Sequence, residues 1–264
     1  MEVLGTGKDV ASPARAAEGI LKRRGASMNN APRALGALSE SRSGQRQDLS
    51  YWTDTQLPAL RSPPMTSTPK VLVPLADGFE EIEAVTIIDV LCRGEIEVIV
   101  ADLGAPGDAR SAKGAHGIEF NTAASLDDVN IDEFAAVILA GGIPGATTLR
   151  DDERVIAALK YMHAHDRWTA AVCAAPIALA QAGLLEGQRA TCYPAFHDHL
   201  SGATVVEDER VVISGRVMTS VGPGTSLDFA LCLVAVLKSP ETAEELAAGM
   251  IAGGLAERVG NCWS

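Results

Sequence analysis

Aromatic residues are scarce, at 4% of the 264-residue sequence. A core with few rings has to be built from smaller side chains, and alanine, valine, leucine and glycine carry the apolar content. That content suits parallel β-strands covered by helices. No run of about 18 apolar residues exists, so no transmembrane helix is predicted. The N-terminus also lacks the apolar stretch of a secretory signal. Basic charge is short as well: the formal net charge is −12. Such a surface repels phosphate backbones and anionic lipid, which argues against binding nucleic acid or membrane by bulk charge. The cysteines (Cys92, Cys173, Cys192, Cys232 and Cys262) are odd in number and contain no C-x-x-C pair. They read as reduced thiols of a cytoplasm-like compartment, not as a disulfide framework or a zinc site.

Charge is unevenly distributed. Residues 1–64 hold 9 Lys and Arg against 6 Asp and Glu, a net of +3, whereas residues 65–264 hold 13 against 28, a net of −15. The first segment is rich in Ser, Arg, Pro and Gly, so residues 1–68 are predicted to be a disordered extension. Three readings stay open for it: a transit peptide to a mitochondrion or plastid, opposed by Glu2, Asp9 and Glu18; a regulatory tail; or an untranslated stretch upstream of a start at Met65. Residues 69–252 are expected to form one domain and residues 253–264 a C-terminal tail.

From Lys70 onward, strand and helix patterns alternate. Strands are predicted at Val71–Leu75, Ile96–Ala101, Gly117–Phe120, Phe134–Ala140, Thr169–Val172, Val211–Ser214 and Val217–Thr219. Helices are predicted at Glu80–Cys92, from Asp151 to about His165, at Ala174–Ala182, at Thr225–Leu237, and after the Ser239-Pro240 cap. In the first helix the expected buried stripe is Ile82, Val85, Ile88, Asp89 and Cys92. Repeated strand–helix units imply an α/β fold, a mostly parallel sheet with helices on both faces. Ligands of such sheets bind beyond the carboxyl ends of the strands. That rule selects three loops: Ala76–Phe79, Gly141–Gly145 and the turn at Cys173.

Thr169-Ala-Ala-Val-Cys173-Ala-Ala-Pro176 runs a strand into a cysteine, then small residues, then a proline near a helix start. A sharp strand-to-helix elbow crowds backbone and Cβ atoms, and Ala171 and Ala175 stand where glycines stand in the G-x-S-x-G elbow. Such a turn pushes the side chain out at the sheet's edge, under the free N–H groups and positive end of the next helix, which favours thiolate. Cys173 is therefore the candidate nucleophile. The alternative is a small buried thiol, the reading adopted for Cys92 and Cys232.

Ala76-Asp-Gly-Phe-Glu80-Glu81-Ile-Glu83 places acidic residues in a first helical turn, where the helix dipole favours them. That suffices for Glu80 and Glu81. Glu83 lies next to the expected apolar stripe, where a carboxylate is costly unless protonated or hydrogen-bonded. A protonated Glu83 beside Cys173 has the chemistry of a general acid and base.

Four segments in order, Asp77-Gly-Phe-Glu-Glu-Ile-Glu83-Ala-Val, Leu139-Ala-Gly-Gly142, Ala171-Val-Cys173-Ala-Ala-Pro176 and Thr219-Ser-Val-Gly-Pro-Gly-Thr-Ser226, resemble the DJ-1/ThiJ/PfpI superfamily, most closely its DJ-1 branch with the YajL-like proteins. The resemblance implies a flavodoxin-like three-layer sandwich and a homodimer over roughly residues 69–250. It implies that Cys173 is the nucleophile and Glu83 its protonated partner. It also implies a small pocket from the backbone of Gly141, Gly142 and Ala174, with Asp89 in support. Tyr193 stands where many animal members carry a histidine, so Glu83 alone would handle proton transfer. His116 stands where relatives often carry arginine. His197-Asp198-His199 is read as a solvated loop, since zinc needs three or four converging ligands, and neither metal nor cofactor is expected.

The expected function is detoxification of reactive dicarbonyls (glyoxalase III) or deglycation of their early adducts, through a hemithioacetal on Cys173. The alternative is a redox-responsive chaperone or stress sensor using the same thiol. A peptidase or amidotransferase shares the elbow but normally needs the histidine that Tyr193 replaces.

Overall fold

The computed structural model describes residues 68–104 and 110–260. The predictions for residues 1–67 and for Cys262 lie outside the described residues. Five predicted strands form one sheet: β1 (Lys70–Leu75), β2 (Glu97–Asp102), β6 (Ala136–Leu139), β7 (Trp168–Val172) and β11 (Val217–Ser220) run parallel. The two-residue β5 (Ala124–Ser125) extends one edge in parallel, and β10 (Val211–Ser214) closes the other as an antiparallel hairpin with β11. The order is β10-β11-β7-β6-β1-β2-β5. The fold is thus a flavodoxin-like α/β sandwich.

Alternation along the central strands divides the core into two clusters. Val71, Val73 and Leu75 of β1 join Ile138 and Val172 beneath α1 (Glu81–Arg93), α5 (Ser226–Leu237) and α6 (Pro240–Gly249). Leu72, Val137, Leu139 and Ala171 face the opposite layer, α2 (Gly145–Asp151), α3 (Glu153–Ala164) and α4 (Pro176–Gln181). A strand covered on both faces must be apolar at every position, which is why β1, β6 and β7 read as continuous runs without alternation. Each fully buried Leu, Ile or Val contributes roughly 1.5–3 kcal/mol relative to exposure.

Three expectations are corrected. Gly117–Phe120, expected as a short strand at a sheet edge, contributes instead to a separate hairpin, in which β4 (Glu119–Asn121) pairs with β3 (Ser111–Lys113). Three-residue strands are too short to carry a period-2 signal. The expected tail contains α7 (Leu255–Val259), whose Leu255 is buried in the core and whose Arg258 Nε donates to Asp228 Oδ1 at 2.7 Å. Asp228 also accepts from Arg210 Nε at 2.6 Å, so a buried carboxylate on α5 holds both α7 and the residue that precedes β10.

The third correction concerns α1. Its buried face is Glu81, Glu83, Ala84, Ile87, Val90 and Leu91. The stripe predicted to be buried is the outer one: Ile82 is 59% and Val85 46% exposed, and Asp89 and Cys92 face solvent. Both stripes satisfy helical spacing, because the helix is apolar around most of its circumference. Contact with α5 selects the inner one. No helix among the described residues is long and apolar enough to cross a membrane.

Candidate active site

The chain leaves β1 toward β2 on one side and returns to β6 on the other, so the strand order reverses between β1 and β6. A crevice opens at the carboxyl ends of strands at such a point. The loops after β1, β6 and β7 meet there. The Glu80 N–H donates to the Gly141 carbonyl at 2.9 Å, and the Gly145 N–H to the Gly78 carbonyl at 3.3 Å. Gly142 has φ +91°, and a Cβ on it would stand 2.3 Å from the Glu80 nitrogen. Only glycine permits that crossing.

Cys173 follows β7 in the left-handed region, with φ +62°. That conformation is uncommon for a residue with a Cβ and marks the strand-to-helix elbow. Its N–H donates to the Ser220 carbonyl (3.0 Å), and its carbonyl accepts from the Tyr193 N–H (2.9 Å), so both sides of the turn are pinned. The residue is partly exposed.

Glu83 reaches the same place from α1. It is 0% exposed, and its Oε2 accepts from the Gly141 N–H at 2.7 Å. Among the described residues, Oε1 is buried without an N–H or O–H donor. The Cys173 thiol lies near enough to perturb the carboxyl, yet does not satisfy Oε1 with a well-directed bond. Burial pushes the Glu83 pKa up to about 7, against the bonds from Cys173 and Gly141. A bare buried carboxylate oxygen is expensive, and the neutral acid removes that cost.

The thiol departs from the expectation drawn from the elbow alone. Burial first, then the charge and bond of Glu83, push Cys173 up to about 12, while the backbone N–H groups of Ala174 and Gly142 pull it down. The helix after the elbow has only six residues, so its dipole is small. Two of the three raising causes belong to Glu83 as a carboxylate. Once Glu83 is protonated, its charge is gone and the upward push on the thiol weakens, so the two groups titrate as a coupled pair.

The crevice thus brings together Cys173, Glu83, Gly141, Gly142 and Ala174. A Cβ on Gly141 would lie 2.7 Å from Cys173 Cβ and 2.8 Å from Glu83 Oε2, so the bare glycine is what allows the approach. Tyr193 borders the opening, 47% exposed. Asp89 is not brought in. It is exposed and pairs with Arg93 at 2.7 Å, because six residues along a helix turn it away from Glu83. His116 lies at the tip of the β3–β4 hairpin, 70% exposed, its Nδ1 2.7 Å from Glu81 Oε2. The His116 and Ile118 N–H groups donate to Glu81 Oε1 at 2.6 and 3.4 Å. Burial raises Glu81, but the bonds from the His116 ring, its own backbone and those two N–H groups outweigh it and bring it to about 2. His116 is raised by the same bond and by the charges of Glu80 and Glu81. Among the described residues, Glu80, Glu81 and His116 are the only group with metal-ligand geometry, and their mutual ion pairing accounts for the arrangement. His197 and His199 sit on a 3-10 turn, Pro194–His199, away from any such group. Sequence reasoning assigned no role to Ser220, whose carbonyl holds the elbow, or to Gly222 beside the sulfur. The Gly-Pro-Gly run after β11 was their only signal.

Residues 69–236 match the model of the DJ-1/PfpI family. The chain is 38% identical over 187 residues to Protein DJ-1 homolog B of Arabidopsis thaliana, which covers 70% of this chain and 42% of the plant protein. The chain thus spans less than half that relative's length. It is 34% identical over 177 residues to the glutathione-independent glyoxalase DJR-1.2 of Caenorhabditis elegans, covering 67% of this chain and 91% of the nematode protein. The solved structure of Toxoplasma gondii DJ-1, oxidized, superposes with a TM-score of 0.66 at 37% identity, over 70% of this chain and 98% of its own.

Proposed function

The chain belongs to the DJ-1/PfpI family, and from that we propose that it is a cysteine-dependent enzyme, needing no cofactor, that converts reactive dicarbonyls or their early adducts to hydroxy acids. One observation carries the reading: a partly exposed cysteine in a left-handed elbow faces a fully buried carboxyl whose pKa is raised to about 7. A proton held between them lets Cys173 attack as thiolate while Glu83 holds the acid.

In the proposed sequence, the sulfur bonds to the aldehyde carbon of methylglyoxal. The carbonyl π pair moves to oxygen, which is met by the N–H groups of Gly142 and Ala174 and takes the Glu83 proton. The product is a hemithioacetal. Glu83, now a carboxylate, removes the proton from the former aldehyde carbon to give an enediolate and returns it to the neighbouring carbon, while the hydroxyl proton passes from the first oxygen to the second. The resulting thioester is hydrolysed by water, releasing lactate and restoring the thiol. The nematode relative named a glyoxalase supports this reading.

Proton NMR on the full chain with methylglyoxal tests it. Lactate should form without metal or glutathione and be lost with Cys173→Ser and Glu83→Gln, and an active Cys173→Ser protein would sink the proposal. A second reading, a redox sensor, draws on the oxidised form in which the Toxoplasma relative was solved and on the partial exposure of Cys173. It is favoured if no turnover is found while mild peroxide yields sulfinate at Cys173. Homodimerisation is part of the proposal, supported by the exposed apolar stripe of Ile82 and Val85 on α1 with Ile118 on the hairpin, also exposed. Sedimentation of wild type against Val85→Glu tests that part.

A further inference from the structure

Gly222 follows β11, between Cys173 and Tyr193. Its backbone is extended (φ 166°, ψ −164°), a conformation open to any residue. A Cβ added there would stand 3.5 Å from Tyr193 Cδ2 and 3.9 Å from Cys173 Sγ, ordinary van der Waals distances. Neither backbone nor crowding demands glycine, in contrast to Gly141 and Gly142. The residue is nonetheless held in place: its N–H donates to Thr225 Oγ1 at 3.0 Å, and its carbonyl accepts from the Thr225 N–H at 2.9 Å. Thr225 is buried. The missing side chain therefore leaves a gap whose nearest side-chain neighbours, among the described residues, are the sulfur and the edge of the Tyr193 ring. Tyr193 is itself tied to the elbow through the 2.9 Å bond from its N–H to the Cys173 carbonyl.

We infer that Gly222 and Tyr193 form the subsite for the substituent carried by the carbonyl substrate of Cys173, and that they set the size the site accepts. The inference rests on the dicarbonyl reading above. A carbon poised for attack stands about 3–3.5 Å from the nucleophile, so the atoms attached to it fall where the Gly222 Cβ would be. When the S–C bond forms and the carbonyl oxygen takes the Glu83 proton, the adjoining carbon and its substituent swing against the bare face of Gly222. A hydrogen or methyl group fits there, whereas an aryl group meets the Tyr193 ring.

The test is steady-state kinetics of the full chain on glyoxal, methylglyoxal and phenylglyoxal, with Gly222→Ala, Tyr193→Ala and Tyr193→Phe. A methyl-sized misfit in a pocket is worth roughly 10–200-fold. Gly222→Ala should therefore lower kcat/KM about 10-fold or more for methylglyoxal and further for phenylglyoxal, and least for glyoxal. Tyr193→Ala should raise phenylglyoxal relative to methylglyoxal about 10-fold or more on the same scale, while Tyr193→Phe keeps the wild-type order. An equal loss on all three substrates in Gly222→Ala, with Tyr193→Ala leaving the order unchanged, overturns the subsite and leaves the dicarbonyl reading standing. If the wild type turns over none of the three, the dicarbonyl reading fails instead. The subsite is then decided by alkylation of Cys173 with iodoacetamide and N-phenyliodoacetamide, read by intact mass. Selective slowing of the larger reagent in Gly222→Ala upholds the size wall, and equal slowing of both overturns it.

Discussion

Glu81 and Glu83 sit two residues apart on one helix, both buried, and the protein drives them in opposite directions. Glu81, held by the β3–β4 hairpin through the His116 ring and the His116 and Ile118 N–H groups, is brought down to about 2. Glu83 accepts one backbone N–H and is raised to about 7. Glu83 lies deeper than Glu81 and has fewer donors, and both differences set the outcome: a carboxylate with several N–H partners has its charge solvated by the protein, and one with a bare oxygen does not. One region is a clasp and the other a proton store.

The largest expected effect breaks the active side of that pair. Cys173→Ser should lower kcat/KM for methylglyoxal by about 10³-fold or more, since the nucleophile is removed. Next, Glu83→Gln should lower turnover by about 10²–10⁴-fold, the usual reach of one general acid–base group. The same substitution deletes the charge that opposes the thiolate, so alkylation of Cys173 by iodoacetamide at pH 8–9 should hold or rise. A parallel fall in alkylation and turnover would show Glu83 to be merely structural.

pH sharpens the contrast. A carboxyl raised on folding binds its proton more tightly in the folded chain. The stabilisation from Glu83 is complete below the ordinary value of 4.5 and is lost as pH rises through about 7. The shift corresponds to about 3 kcal/mol at most. Glu81 has the opposite sign: its contribution is present above 4.5 and is lost as pH falls toward 2. Urea unfolding across pH 3–8 should therefore show Glu83→Gln flattening the neutral limb and Glu81→Gln the acid limb. The smallest expected effect is at Asp89, whose exposed pair with Arg93 should leave urea unfolding essentially unchanged when Asp89→Asn removes it, with turnover unchanged. A marked loss of activity there would return Asp89 to the site.

Much of this was legible in the residues. Continuous apolar runs marked β1, β6 and β7, and the loops after them hold the crevice, as the strand-end rule expects. The Ser239-Pro240 cap is formed, with the Ser239 hydroxyl accepting from the Thr242 N–H at 3.2 Å. Short pieces were not legible: β3, β5, the two-residue strands at Arg189–Ala190 and Thr204–Val205, and the seven-residue α2 are too brief for a period to emerge. The expected stripe of Ile82 and Val85 lies outside, and Glu83 belongs to the inner face with Ala84 and Ile87.

The sequence by itself determined the alternation of strands and helices, the elbow at Cys173 and the presence of an acid in the first turn of α1. Those are local properties: hydrophobic period, small residues at a crowded turn, and charge near a helix start. The tertiary structure alone decided which way α1 turns, and with it whether Glu83 meets the thiol. It also decided that burial and the Glu83 carboxyl, not the elbow's helix end, govern the ionisation of Cys173. A helix apolar on most sides has no preferred face until its neighbours are in place, and a pKa has no value until the dielectric and donors around the group are set.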